Sequence, residues 1–353
     1  MINQSEISAG WLNQVAKRHR IADKILVEKV IRALLLLEGL AKQNLPFIFR
    51  GGTALMLHFH SAKRLSIDID IILPYPVNLE SAFDAVVTGQ NFVKWKLHQR
   101  SARSKIKKEH YKFYFAPLHK TNKDEDYVLL DILYEEVNYQ NLIDLPIQSD
   151  FVPQSGKALT VSVPGLEDIL GDKLTAFAPN TTGIPYFKNE DSMSMEILKQ
   201  LYDIGNLFDA VNDLATIKTT FKRFARTEIA YWSEMKISEI DVLDDIYQTA
   251  LCIVTRGADG KGNFEELRKG LQRVGNFIFS ESFHIEKAIT HASRAAYIAA
   301  LIQHNGRQIE RLENPLQLKD WQIDEPLNNK LNKLKKFNTE AFFYWYKIYE
   351  LKK

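Results

Sequence analysis

Asp68 and Asp70, in the stretch Leu65 to Leu73 (LSIDIDIIL), stand two residues apart. On an extended strand that spacing sends both carboxylates to one face with their stems about 7 Å apart, close enough to bind one divalent cation or a close pair. A magnesium-type ion, magnesium or manganese, takes hard oxygen ligands and keeps open positions for substrate phosphates, so such a pair suits phosphate chemistry. Alone, the spacing is common on solvated strand faces. Its neighbours give it weight. Gly51-Gly52-Thr53 stands where a short helix can begin, and there glycine lets the backbone approach a phosphate while free N–H groups favour an anion. Thr53 and Ser66 add hydroxyl donors, and Arg64 adds a permanent cation. Asp131, in VLLDILY, sits inside an apolar run that reads as a buried strand. An ionised carboxylate buried there needs a partner, which a metal ion shared with Asp68 and Asp70 would provide, or else a lysine or arginine.

The elements that must position these groups follow from periodicity. Ala22 to Gln43 places Ile25, Leu26, Val30, Ala33, Leu34, Leu37 and Leu40 at helical spacing, a core-facing helix bounded by Pro46. Pro46 to Arg50 reads as a short strand, Thr53 to His60 as a short helix, and Leu65 to Leu73 as a strand with Ile67, Ile69 and Ile71 on one face. Phe92 to Leu97, Tyr111 to Ala116, Tyr127 to Tyr134 and Ala158 to Val163 are further strands, giving a mixed sheet in the first half. After Pro164-Gly165 the pattern turns helical: Leu166 to Phe177, Glu196 to Phe208, Ile217 to Trp232, Ile240 to Val254, Phe264 to Phe277 and Ile285 to His304. The fold class expected is α+β, a mixed sheet with flanking helices followed by a helical bundle.

Composition excludes several classes. The 353 residues carry 46 Lys plus Arg against 44 Asp plus Glu, so total charge names no partner, and 45% hydrophobic content rules out a disordered chain. A single cysteine, Cys252, allows neither an internal disulfide nor a cysteine-rich zinc module, as expected in a reducing cytoplasm. No apolar run approaches the roughly 20 residues needed to cross a bilayer, and the start does not read as a secretory signal. Charge is nevertheless local. Between Lys94 and Lys123 lie Lys94, Lys96, Arg100, Arg103, Lys105, Lys107, Lys108, Lys112, Lys120 and Lys123 against the single acid Glu109, interleaved with Trp95, Tyr111, Phe113, Tyr114 and Phe115. Two readings are open: a surface that tracks phosphates and stacks bases, or a hairpin whose aromatics face the core. The basic, aromatic stretch Lys330 to Lys353 reads as an amphipathic terminal helix.

Gly51-Gly52-Thr53-Ala54-Leu55 followed by Arg64-x-Ser66-x-Asp68-x-Asp70 resembles the signature of the AbiEii/AbiGii toxin family, a branch of the polymerase-beta-like nucleotidyltransferase superfamily that includes the MenT toxins. Lys173 in GDKLTAF resembles the family's lysine that contacts nucleotide phosphates, and Tyr202-Asp203 in LKQLYDIGNLFD resembles its later motif ending in Tyr-Asp. The resemblance spans about Ala22 to Asp209. It departs at Lys199-Gln200, where many relatives carry Arg-Asp, so an acid is missing at position 200. The resemblance implies a nucleotidyltransferase-like domain in residues 1–163 and a helical domain in residues 164–353 that supplies phosphate-binding groups at its start.

What it implies chemically is transfer of a nucleoside monophosphate from an NTP to an acceptor, with pyrophosphate leaving. Asp68, Asp70 and Asp131 would be the metal ligands; Gly51, Gly52, Thr53, Arg64 and Ser66 would bind the nucleotide. Lys173 would meet the phosphates, and Asp203 would position Lys173 or assist the acceptor. The implied acceptor is RNA, tRNA among the options, in a toxin–antitoxin setting with a cognate antitoxin and no membrane, and the basic segment from Lys94 to Lys123 agrees with it independently. Transfer to a protein or small molecule, and a non-catalytic relative that binds RNA or protein, are the alternatives. His58 and His60 read as packing or surface residues rather than ligands, and Cys252, in an apolar helix without an activating base, not as a nucleophile.

Overall fold

The computed structural model describes residues 1–20, 22–59, 63–98, 108–119, 124–231 and 236–353. The chain forms two compact units. The first comprises Met1–Gly165 with Asn276–Ser282, the second Leu166–Gly275 with Phe283–Lys353. The segment 276–282 thus returns from the helical half of the sequence to the first unit, where the Leu65 N–H donates to Phe277 O at 2.7 Å.

In the first unit, α1 (Ala9–Arg18) and α2 (Lys24–Ala41) precede β1 (Ile48–Arg50) and α3 (Gly51–His58). β2 (Ile69–Leu73), α4 (Glu80–Gly89), β3 (Lys94–Leu97), β4 (Lys108–Phe115), β5 (Asp126–Tyr134), β6 (Leu142–Pro146) and β7 (Thr160–Pro164) follow. β1 to β5 make one sheet in the order β1-β2-β5-β4-β3, and β6 pairs with β7. The β2–β5 pair is parallel and the others antiparallel, so the sheet is mixed as expected. The strand around the acidic pair is shorter than its alternation suggested. It begins at Ile69, which leaves Asp68 in the segment leading into it. α1, α4 and β6 add to the elements expected from periodicity.

α2 is more than an amphipathic helix. Val27 to Leu40 is buried with little interruption, while Ile25, expected in the core, is 40% exposed. The acids this burial encloses are satisfied. Glu28 accepts from the Leu118 N–H at 2.7 Å, and Glu38 accepts from the Ile2 N–H at 2.6 Å and from Lys42 at 2.9 Å.

Parity on the β3–β4 hairpin decides between the two readings of its aromatics. Phe113 and Phe115 are fully buried, and Phe83 of α4 stacks edge-on against Trp95, Tyr111 and Phe113 at centroid distances of 5.3, 4.8 and 5.2 Å. These aromatics therefore build the core, which corrects the base-stacking reading for four of the five. Tyr114 alone of the set takes the other face. It lies beside Lys94 and opposite Tyr127 on β5.

The second unit is helical apart from the short hairpin of β8 (Phe187–Lys188) and β9 (Asp191–Ser192). Its helices are α5 (Leu166–Ala176), α6 (Ser194–Phe208), α7 (Leu214–Tyr231), α8 (Glu239–Val254), α9 (Phe264–Val274), α10 (Ile285–Gln303), α11 (Leu334–Phe337) and α12 (Thr339–Lys352). α10 is buried along its length and packs its alanines on α6, α8 and α12, where Trp345 is enclosed and its indole N–H donates to Ser293 at 3.0 Å. No helix among the described residues is long and apolar enough to cross a membrane.

Candidate active site

β1 hands the chain to α3 at Gly51, whose φ of +81° is a left-handed conformation that glycine adopts without strain. Arg50, the N-cap, makes no side-chain capping bond. The register Arg50↔Asp70 brings Asp70 against this turn, and a Cβ on Gly51 would overlap its carboxylate. A carboxylate beside a helix N-terminus is stabilised by the partial positive charge there. The turn that sequence reasoning assigned to a phosphate thus already receives the Asp70 side chain.

Gly52 has the same function toward two other side chains. A Cβ there would lie 2.5 Å from Arg64 Nη2 and 2.7 Å from Ser66 Oγ. Arg64 is buried and donates to the Leu65 carbonyl at 3.1 Å. Thr53 is fully buried, and its hydroxyl donates to the Asp68 carbonyl at 2.6 Å. That proton ties α3 to the segment carrying Asp68. Gly51, Gly52, Thr53, Arg64, Ser66, Asp68 and Asp70 are therefore gathered in one place, with the glycines conceding the space that the polar groups take.

Asp131 joins them through the sheet. Asp70 and Asp131 are register partners on the parallel strands β2 and β5, and side chains of such partners emerge on the same face. That face is not the core: Val128, Leu130 and Ile132 point inward, while Asp131 is half-buried on the opposite side. The expected deep burial of Asp131 is corrected accordingly. Its partner among the described residues is His110, directly across on β4, with Nδ1 at 2.7 Å from Asp131 Oδ1. His110 lay unnoticed in the basic stretch; the signal that could have found it is its position opposite Asp131 once β4 and β5 are aligned.

The same face continues outward from the acids. Lys112 stands opposite Leu129 and Lys96, and Tyr114 opposite Tyr127 and Lys94. Lys112 Nζ lies 4.3 Å from the Tyr127 ring centre, and Lys94 Nζ 5.1 Å from that of Tyr114. Lys94 also pairs with Glu125. Arg100, Arg103, Lys105, Lys107, Lys120 and Lys123 lie outside the described residues, as does His60. His58 accounts for itself structurally: its Nε2 lies 2.9 Å from the Pro164 carbonyl, and burial lowers its pKa. Cys252 is buried in α8, and burial raises its thiol pKa.

A divalent ion of the magnesium type needs hard oxygen donors held close together. The side chains are of the right chemistry, hard carboxylate oxygens beside a turn built from glycine. However, no three His, Cys, Asp or Glu side chains among the described residues stand together closely enough to hold an ion. The expectation that Asp68, Asp70 and Asp131 form one ready cluster is thereby corrected to a pair in register, Asp70 with Asp131, and Asp68 one residue ahead of β2. One or two carboxylates with substrate phosphates is the ordinary way magnesium is held, so the donor set fits such an ion.

In the second unit, Lys173 of α5 and Asp203 of α6 are both buried and form an ion pair, Nζ to Oδ2 at 2.7 Å. Lys173 also donates to Gln200 Oε1 at 3.0 Å. Gln200 thus places an amide oxygen on the lysine without a second negative charge.

No functionally curated protein matches the chain by sequence. Among solved structures it is similar to the nucleotidyltransferase toxin MenT4 of Mycobacterium tuberculosis, at 12% identity and a TM-score of 0.45, over 83% of this chain and 89% of that one. Residues 35–324 match the family described as "Nucleotidyl transferase AbiEii toxin, Type IV TA system". With most of its length inside that match, the chain belongs to the AbiEii family of nucleotidyltransferase toxins of type IV toxin–antitoxin systems.

Proposed function

We propose that the protein transfers a nucleoside monophosphate from an NTP to a hydroxyl of an RNA acceptor, with pyrophosphate released and a magnesium or manganese ion required. The observation that carries this reading is the register of Asp70 with Asp131 on adjacent parallel strands, beside the Gly51-Gly52 turn. In the reaction the acceptor oxygen bonds to the α-phosphorus, the bond from that phosphorus to the bridging oxygen breaks, and the acceptor proton passes to Asp131. Asp70 and Asp131 would hold the ion together with the substrate phosphates, and Asp68, from the segment ahead of β2, would join them as a ligand once these are bound; the ion would neutralise charge developing on the phosphate oxygens. Ser66, Arg64 and the Gly52 backbone serve the triphosphate, whereas Thr53 secures the Asp68 segment from beneath. For Lys173 we assign the cationic phosphate-binding role, with Asp203 and Gln200 fixing its ammonium.

RNA is favoured because the sheet face that bears Asp70 and Asp131 runs on into Lys112, Lys96 and Tyr114. Phosphates would meet the lysines, and an unstacked base would meet the tyrosine. A cognate antitoxin is the partner that family membership implies. The test is incubation of the purified protein with each α-labelled triphosphate and a cell lysate, followed by nuclease or protease. Label released by nuclease and retained after protease supports the reading; the reverse assigns a protein acceptor.

A further inference from the structure

We propose that His110 is a positioning residue for the transfer reaction, holding one oxygen of Asp131 so that the other is presented to the reacting groups. This rests on the reaction proposed above. An ionised carboxylate can only accept, so in the 2.7 Å bond to Asp131 Oδ1 it is His110 Nδ1 that carries the proton. The pair sits at the centre of the sheet rather than at an edge. His110 is flanked by β5, which carries Asp131, and on its other side its carbonyl accepts from the His98 N–H at 2.6 Å.

Asp131 is 31% exposed at its side chain and His110 18%, so solvent alone would satisfy the carboxylate, and burial does not demand the imidazole. What the imidazole adds is direction. A free aspartate on a strand face samples several rotamers, and a fixed donor on one oxygen selects one of them. The neighbour that matters is Asp70, in register with Asp131 on the far side from His110. His110, Asp131 and Asp70 thus form one row across three strands.

Two amide substitutions separate this role from mere packing. Asn carries its amide nitrogen where Nδ1 stands, while Gln carries it where Nε2 stands. His110→Ala is expected to lower kcat about 10-fold, the lower end for loss of a group that orients a functional ligand, with KM for the triphosphate unchanged. His110→Asn is expected to recover most of that loss and His110→Gln little of it. In the native protein, nitrogen-resolved NMR is expected to show His110 protonated at Nδ1, and Asp131→Ala to abolish that signature. Native turnover in His110→Ala, equal failure of Asn and Gln, or an Nε2-protonated ring would overturn the proposal. A native protein that transfers no nucleotide would overturn the reaction instead, and the NMR readout would still report on the pairing by itself.

Discussion

The Asp70 carboxylate fills the space that a side chain on Gly51 would need. Its Oδ2 and Cγ crowd the Cβ position of a residue whose φ is +81°. Gly51→Ala therefore combines left-handed strain with displacement of a proposed ligand. It is expected to cost at least about 1–3 kcal/mol in stability and to abolish transfer. Gly89→Ala, at the end of α4 where nothing lies within 4 Å, is the control, expected to be neutral or stabilising by up to about 1 kcal/mol. Urea melts and label transfer on both variants check this.

Asp203→Ala leaves the buried Lys173 ammonium without its charged partner. The expected loss is about 3–5 kcal/mol, because the cost of an uncompensated buried charge exceeds the net worth of the pair. Replacing both, as Lys173→Met with Asp203→Leu, is expected to restore most of the stability while leaving transfer absent. Thermal melts together with the transfer assay separate the structural from the chemical role of Lys173.

His291 of α10 sets a pH dependence in the helical unit. Full burial, with Arg294 and Lys287 adding repulsion, pushes its pKa down to about 3 from an ordinary 6.5. The folded state therefore refuses a proton that the unfolded chain takes up below pH 6.5. Stability is expected to fall with acidification, approaching about 1.4 kcal/mol per pH unit between pH 6 and 5. Denaturant midpoints at pH 7, 6 and 5 measure the slope, and a His291→Gln variant is expected to flatten it.

Binding of RNA is expected to weaken steeply with salt if the outer face of β3 and β4 carries it. Lys96→Ala and Lys112→Ala should each reduce the slope of log affinity against log salt by about 1. Filter binding at several salt concentrations checks this. A slope unchanged in both variants would place the acceptor elsewhere.

Much of the first unit could be read from residues in sequence. The alternation of Ile67, Ile69 and Ile71 located the acidic strand, and Gly51-Gly52 located the turn against it, because both patterns are local. What stayed hidden depended on partners far along the chain. Which strand lies beside β2, and hence that Asp131 stands next to Asp70 and opposite His110, is fixed by tertiary pairing across about 60 residues of chain. Thr53 looked like a phosphate donor because a hydroxyl's partner cannot be read from its neighbours; here it is the Asp68 carbonyl. The aromatics of the hairpin misled for a different reason. Charge and aromatic content describe a segment, whereas alternate residues of a strand go to opposite faces.

The most direct test uses α-labelled triphosphates with total RNA, comparing native protein with Asp68→Ala and Asp70→Asn after thermal melts have confirmed that each variant folds. Native protein should label the RNA in the presence of magnesium, and both variants should lose at least about 100-fold in rate. Native-like labelling by either folded variant would contradict the assignment of these two carboxylates to the chemistry.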